Sequence, residues 1–173
     1  MGDSLVNGIF ALAGVAIGGL VTFGGQYYFR AKELRERKQS LAYSVAAEIE
    51  AYLDLMERRD HVTYAQQIID NNRNGVRQLP KAWISGFEKG VETFPILKSV
   101  LPEIGLLGDA SSIVSKFYSQ AMAVRITLMS VDDGDYEQAD AKDLAYIFDQ
   151  ELGLWKDTVR VGREAIIKLP AAV

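Results

Sequence analysis

The hydropathy pattern is dominated by an uncharged stretch near the amino terminus, Leu5 to Phe29, LVNGIFALAGVAIGGLVTFGGQYYF. A bilayer's hydrocarbon core takes about 20 apolar residues of helix, and buried core helices seldom keep an uncharged run this long. The stretch therefore predicts a membrane-spanning helix. At about 100° of turn per residue, Asn7, Ala11, Gly14, Gly18, Thr22 and Gly25 fall within roughly 80° of one another and form one narrow stripe. Gly8, Gly19 and Gln26 widen it on one side, while Leu5, Ile9, Leu12, Ile17, Leu20 and Phe23 occupy the remaining circumference. Gly14 to Gly18 is also a GxxxG. Lipid supplies no hydrophobic force between helices, so association relies on close backbone approach and interhelical hydrogen bonds, which a small, polar face permits. Self-association through this face is expected.

Beyond the stretch the pattern is helical throughout. No Gly or Pro occurs between Arg30 and Asn74. Leu41, Val45, Ala46, Ile49, Leu53 and Met56 recur at spacings of three and four and mark one apolar face, with Glu48 and its fellow acids assigned to the solvated side. The spacing predicts a long helix continuous with the span, breaking near Asp60 and resuming through Gln66 to Asp70. Asn71 to Gly75 stops it, Gly75 suiting a left-handed terminal position. From Val76 to Gly108, prolines and glycines cut the chain into short pieces, the clearest being a helix from about Lys81 to Lys89 and another opening at Pro95. Trp83, Ile84, Phe87, Phe94, Ile96, Leu97, Val100 and Leu101 are expected to pack between the long helices. Ala110 to Met129 carries a stripe of Ile113, Val114, Phe117, Tyr118, Met122, Ile126 and Met129. A final helix from about Tyr136 to Lys168 places Leu144, Ile147, Phe148, Leu152, Trp155, Val159 and Ile166 inward and closes before Pro170. No run alternates with period two, so no sheet is expected.

The charges set orientation. Before the span stand only the terminal amine and Asp3; after it come Arg30, Lys32, Arg35, Arg37 and Lys38. The positive-inside rule counts Lys and Arg, which puts the C-terminal part in the cytoplasm and the N-terminus outside. Tyr27 and Tyr28 sit where an interfacial aromatic belt belongs. A cleaved signal peptide needs a basic start, a shorter apolar core and a small-residue cleavage site, so the span is expected to be retained. The basic cluster adjoins the membrane and suits anionic lipid headgroups. The net charge of −4 disfavours nucleic acid as a partner, since phosphate binding needs a concentrated basic face. With no cysteine, disulfides and thiolate metal sites are excluded.

Catalytic chemistry is thin. His61 is the only histidine, which removes a zinc-binding His pair, and its neighbours Glu57, Arg58, Arg59 and Asp60 suggest a helix-surface position. Ser111, Ser112 and Ser115 fit a helix start, with no GxSxG or S-x-x-K around them. The Asp132–Asp135 loop fails as a calcium loop, because Gln138 replaces the turn glycine and Leu144 the bidentate glutamate. Eight acids between Asp132 and Glu151 stand against Lys142 alone, a solvated face or a dock for a basic surface. No enzyme activity and no cofactor is expected.

Leu41-Ala-Tyr-Ser-Val-Ala-Ala-Glu-Ile-Glu-Ala-Tyr-Leu53, then Glu57-Arg-Arg59, and later Ile104-Gly-Leu-Leu-Gly108 with Ile113-Val-Ser-Lys-Phe-Tyr118, resemble the pattern of small bacterial inner-membrane proteins with one N-terminal span and an all-helical cytoplasmic domain. The layout is also similar to that of small membrane proteins accompanying RNA-targeting CRISPR systems, whose anchored helical domains assemble into pores. Some of those domains relate to a ribonuclease fold carrying Arg, four to six residues, then His. Arg58 and Arg59 lie too close to His61 for that motif, so nuclease activity is not implied.

The expected fold class is all-α, one N-terminal transmembrane helix running into a cytoplasmic helical bundle of about four helices. Residues 1–29 form the tail and span, 30–75 a juxtamembrane long helix belonging to the bundle, and 76–173 the remaining helical domain. The expected function is an oligomeric membrane assembly, a pore or a scaffold, in which Asn7, Ala11, Gly14, Gly18, Thr22, Gly25 and Gln26 line the shared face. The alternative is a membrane anchor that recruits a cytoplasmic protein partner through its helical domain, without catalysis.

Overall fold

The computed structural model describes residues 2–80 and 93–171, with side chains over 18–80 and 93–170, and among these residues it is all-helical, without a strand. Helix α1 covers Gly2–Arg58, α2 His61–Arg73, α3 Pro95–Val100, α4 Ala110–Asp133 and α5 Ala141–Ala171, with a 3₁₀ segment at Leu101–Leu107. The helix expected over Lys81 to Lys89, with Trp83, Ile84 and Phe87, lies outside the described residues. Among the described residues no helix is long and apolar enough to cross a membrane. The expected span Leu5–Phe29 falls within α1, and its residues 5–17 lie outside the described side chains.

The chain divides into two compact units, Met1–Ser40 and Leu41–Val173. In the first, the described side chains are almost all exposed, Leu20 and Phe23 each at 73%. Lys32 and Glu36 form an i,i+4 ion pair at 3.8 Å, worth little in water.

The second unit has a core in two clusters. The first joins Leu41, Val45, Ile49 and Leu53 of α1 to Val114 and Phe117 of α4 and Val161, Ala165 and Leu169 of α5, with Phe94 and Leu107 from the short segments. The second gathers Met56, Ile68, Ile69, Leu128, Leu144, Phe148, Leu152 and Trp155. Tyr52 and Val159 pack against both, so the clusters form one continuous interior. Between α4 and α5, Asp157 accepts a 2.6 Å bond from Gln120, with Lys116 3.5 Å away. The bonds from Gln120 and Arg160 pull the Asp157 carboxyl down to about 2.

Backbone signals set the helix ends. Asp60 takes a left-handed φ of 48°, which breaks α1 from α2 at the expected place. Gly75, at φ 81°, ends α2 as a Schellman motif: its N–H bonds Asn72 O at 3.0 Å and that of Val76 bonds Asn71 O at 2.9 Å. Gly134 ends α4 the same way at φ 88°.

Three expectations are corrected. The last helix begins at Ala141 instead of Tyr136, because a turn follows Gly134 and Asp140 Oδ1 accepts the Asp143 N–H at 2.8 Å, capping the true first turn. It also continues past Pro170 to Ala171, the missing N–H leaving the Ile166 carbonyl without its i+4 donor. Finally, α4 buries Val114, Phe117, Tyr118, Ala121, Val124, Leu128 and Val131, whereas Met122 and Ile126 are exposed, Ile126 at 60%. Ile126 lies roughly half a turn from the centre of that buried face. The small Ala121, fully buried, marks where α4 meets its neighbours.

Candidate functional site

The stripe expected to carry self-association is described only in part. Asn7, Ala11 and Gly14 lie on α1 but outside the described side chains. Gly18, Thr22 and Gln26 are exposed and Gly25 is half-buried. A Cβ added at Gly18, Gly19, Gly24 or Gly25 would meet nothing within 4 Å, so this face has room for another helix. Thr22 Oγ1 donates to the Gly18 carbonyl at 2.8 Å, so its hydroxyl is satisfied within its own helix. It can therefore sit in an apolar setting without a partner's acceptor. Of the basic collar, Arg30, Lys32, Arg35 and Arg37 are exposed and Lys38 is half-buried.

His61 departs from its expected surface position. It is only 5% exposed, and its ring stacks on Trp155 at 5.3 Å and 19°. The left-handed turn at Asp60 restarts the chain in a new direction, so the first residue of α2 meets α5 instead of solvent. Burial, reinforced by the charge of Arg59, lowers its pKa below the ordinary 6.5, favouring neutral imidazole.

Glu48, read as a solvated acid, is a structural clamp. It is half-buried and accepts N–H bonds from Ile96 at 2.8 Å and Leu97 at 3.0 Å, the orphan donors of α3's first turn. It also accepts the Tyr118 hydroxyl at 2.7 Å. One carboxylate thus ties α1, α3 and α4 together. Burial first, then the Glu48 contact, raises the Tyr118 phenol far above its usual range. The sequence signal was present: Glu48 lies three residues after Val45 and four before Tyr52, on the edge of the apolar face.

The acidic run is partly engaged within the chain. Asp149 pairs with Arg73 at 3.1 Å, and Arg77 donates to the carbonyls of Tyr136, Glu137 and Ala139 at 2.7–3.0 Å. Among the described residues no group of three or more His, Asp or Glu side chains is placed to hold a metal ion. Ser111, Ser112 and Ser115 lie in the first two turns of α4, as expected of a helix start. Comparison with protein-family models, with curated proteins and with solved structures finds no match to this chain.

Proposed function

We propose that this chain is a single-pass membrane protein, with its N-terminus outside and its helical unit in the cytoplasm, that self-associates through the glycine-striped face of α1 into an oligomeric assembly. The carrying observation is that the uncharged Leu5–Phe29 stretch sits within one continuous helix whose described apolar side chains, Leu20, Val21, Phe23 and Phe29, are exposed. Such a helix needs lipid or other helices around it. The open space at Gly18 and Gly25 supports close helix approach on the stripe. The collar of Arg30, Lys32, Arg35, Arg37 and Lys38 is then the headgroup-facing end. A scaffold fits better than an ion-selective pore, because the stripe holds no charged ring and Thr22 keeps its hydroxyl within its own helix.

The test is the particle size of the purified protein in mild detergent and in lipid nanodiscs. Wild type should run as an oligomer and Gly14→Leu/Gly18→Leu as a monomer, because leucine holds the backbones apart. An unchanged assembly size refutes self-association through this face. Recovery of the chain in the soluble fraction of lysed cells refutes the membrane placement.

A further inference from the structure

The second unit contains a cleft of about 470 Å³ between α1 and α4, within the size range of small-molecule sites. Ala51 and Leu55 of α1 and Leu128 of α4 line it, with aromatic surface from Tyr52, Phe94 and Trp155. Besides Tyr52, four ionisable side chains border this apolar lining: Glu48, Arg59, His61 and Arg125. The Glu48 carboxylate is already held by two α3 amides and the Tyr118 hydroxyl, and the His61 imidazole favours its neutral form. Arg58 and Arg163 have carboxylates, in Asp54 and Glu57. Among the described residues Arg59 has none. The cleft is therefore aromatic within, with the Arg59 guanidinium at its border.

We propose that this cleft binds a small aromatic anion, an aryl carboxylate, sulfonate or phosphate of one or two rings. Its ring system lies against Tyr52, Phe94 and Trp155, and its acid group meets Arg59. Aromatic burial supplies the affinity, and charge-assisted bonds to guanidinium fix the orientation. The site belongs to the second unit alone and does not depend on self-association of α1.

Calorimetric titration of the full chain in an uncharged detergent, with naphthalene-2-sulfonate as probe, tests the assignment. Saturable one-to-one binding is expected. Arg59→Gln should weaken it about tenfold, the loss of one charge-assisted bond. The neutral probe 2-naphthol should bind more weakly than the sulfonate by a similar factor. Ala51→Trp, at an exposed position on the lining, should abolish binding while helical circular dichroism is unchanged. Absence of saturable binding, as a cleft already filled by the chain's own residues would give, overturns the proposal. So does binding that both variants leave unaltered.

Discussion

Replacing Gly162 by alanine tests the packing of the second unit at its tightest point. In an open helix the change is favourable by about 1 kcal/mol, because alanine has the higher helix propensity. At Gly162 the added Cβ would meet Phe117 Cδ2 and Cε2 at 2.9 Å and Leu53 Cδ1 at 3.2 Å. The Phe117 ring has nowhere to retreat: it is fully buried and set against Tyr52, Phe94 and Tyr118 at centroid distances of 5.8, 6.4 and 5.2 Å. Overpacking of this kind costs about 1–3 kcal/mol. Net of propensity, Gly162→Ala should range from about neutral to 2 kcal/mol destabilising. Gly153 lies on the exposed face of the same helix with nothing within 4 Å of an added Cβ, so Gly153→Ala should stabilise. Subtracting one variant from the other cancels propensity and leaves the clash. At about 2–4 °C per kcal/mol, the two melting temperatures should differ by several degrees. Thermal unfolding of the full chain, followed by near-ultraviolet circular dichroism, reads the difference. A Gly162→Ala protein melting at or above Gly153→Ala refutes this account of the α1–α4–α5 contact.

The Glu48 clamp should resist conservative change. Glu48→Gln replaces one acceptor by a donor facing a donor, which costs about 1–3 kcal/mol in urea unfolding, and combining it with Tyr118→Phe should cost less than the sum of the two. Full additivity would separate the residues. Asn72 is buried, donates to the carbonyls of Ile68 and Gln78 at 2.8 Å, and accepts the Gln78 N–H at 3.0 Å. Asn72→Ala orphans the Gln78 amide and should also destabilise by about 1–3 kcal/mol; a change within about 0.5 kcal/mol would show the 76–80 segment to be loosely held. Because the folded-state pKa of His61 is lowered, the unfolded chain binds its proton first. Its contribution is fully present above the unfolded value of about 6.5 and is lost as pH falls through that value toward the folded one. The stability difference between wild type and His61→Phe should therefore shrink across that window, and a pH-independent difference would refute burial of the neutral ring.

The helical architecture was legible because periodicity and chain-breaking residues report local events. Gly75 and Gly134 are such cases, each ending a helix by the left-handed conformation that its residue type favours. The face of α4 was harder to read. Met122 and Ile126 outweigh Ala121 in hydropathy, yet Ala121 is fully buried because a small side chain permits helices to approach closely. His61 and Glu48 were misplaced for a related reason. His61 has charged sequence neighbours and Glu48 is itself charged, which suggests solvent, whereas their surroundings are set by residues far along the chain: Trp155 for the imidazole, Ile96, Leu97 and Tyr118 for the carboxylate. The cleft bordered by Arg59 and Arg125 has no local signature, since α1 and α4 bring its sides together only in three dimensions.

Helix α1 is one element with two differently packed parts. Over residues 41–58 it buries Leu41, Val45, Ile49 and Leu53 against α4 and α5, and that packing holds it helical. Over residues 18–40 the described side chains are almost all exposed, and Gly18, Gly19, Gly24 and Gly25 each weaken a water-exposed helix by about 1 kcal/mol relative to alanine. Such a segment is marginal in water, where unfilled backbone hydrogen bonds are readily taken up by solvent. In a bilayer core the same bonds must be made within the segment, and every unsatisfied backbone group costs several kcal/mol. The glycines that weaken this helix in water are tolerated in lipid, and there they allow close approach of a second helix. The physical chemistry of the glycine-rich half of α1 thus argues for the membrane and for a neighbouring copy together.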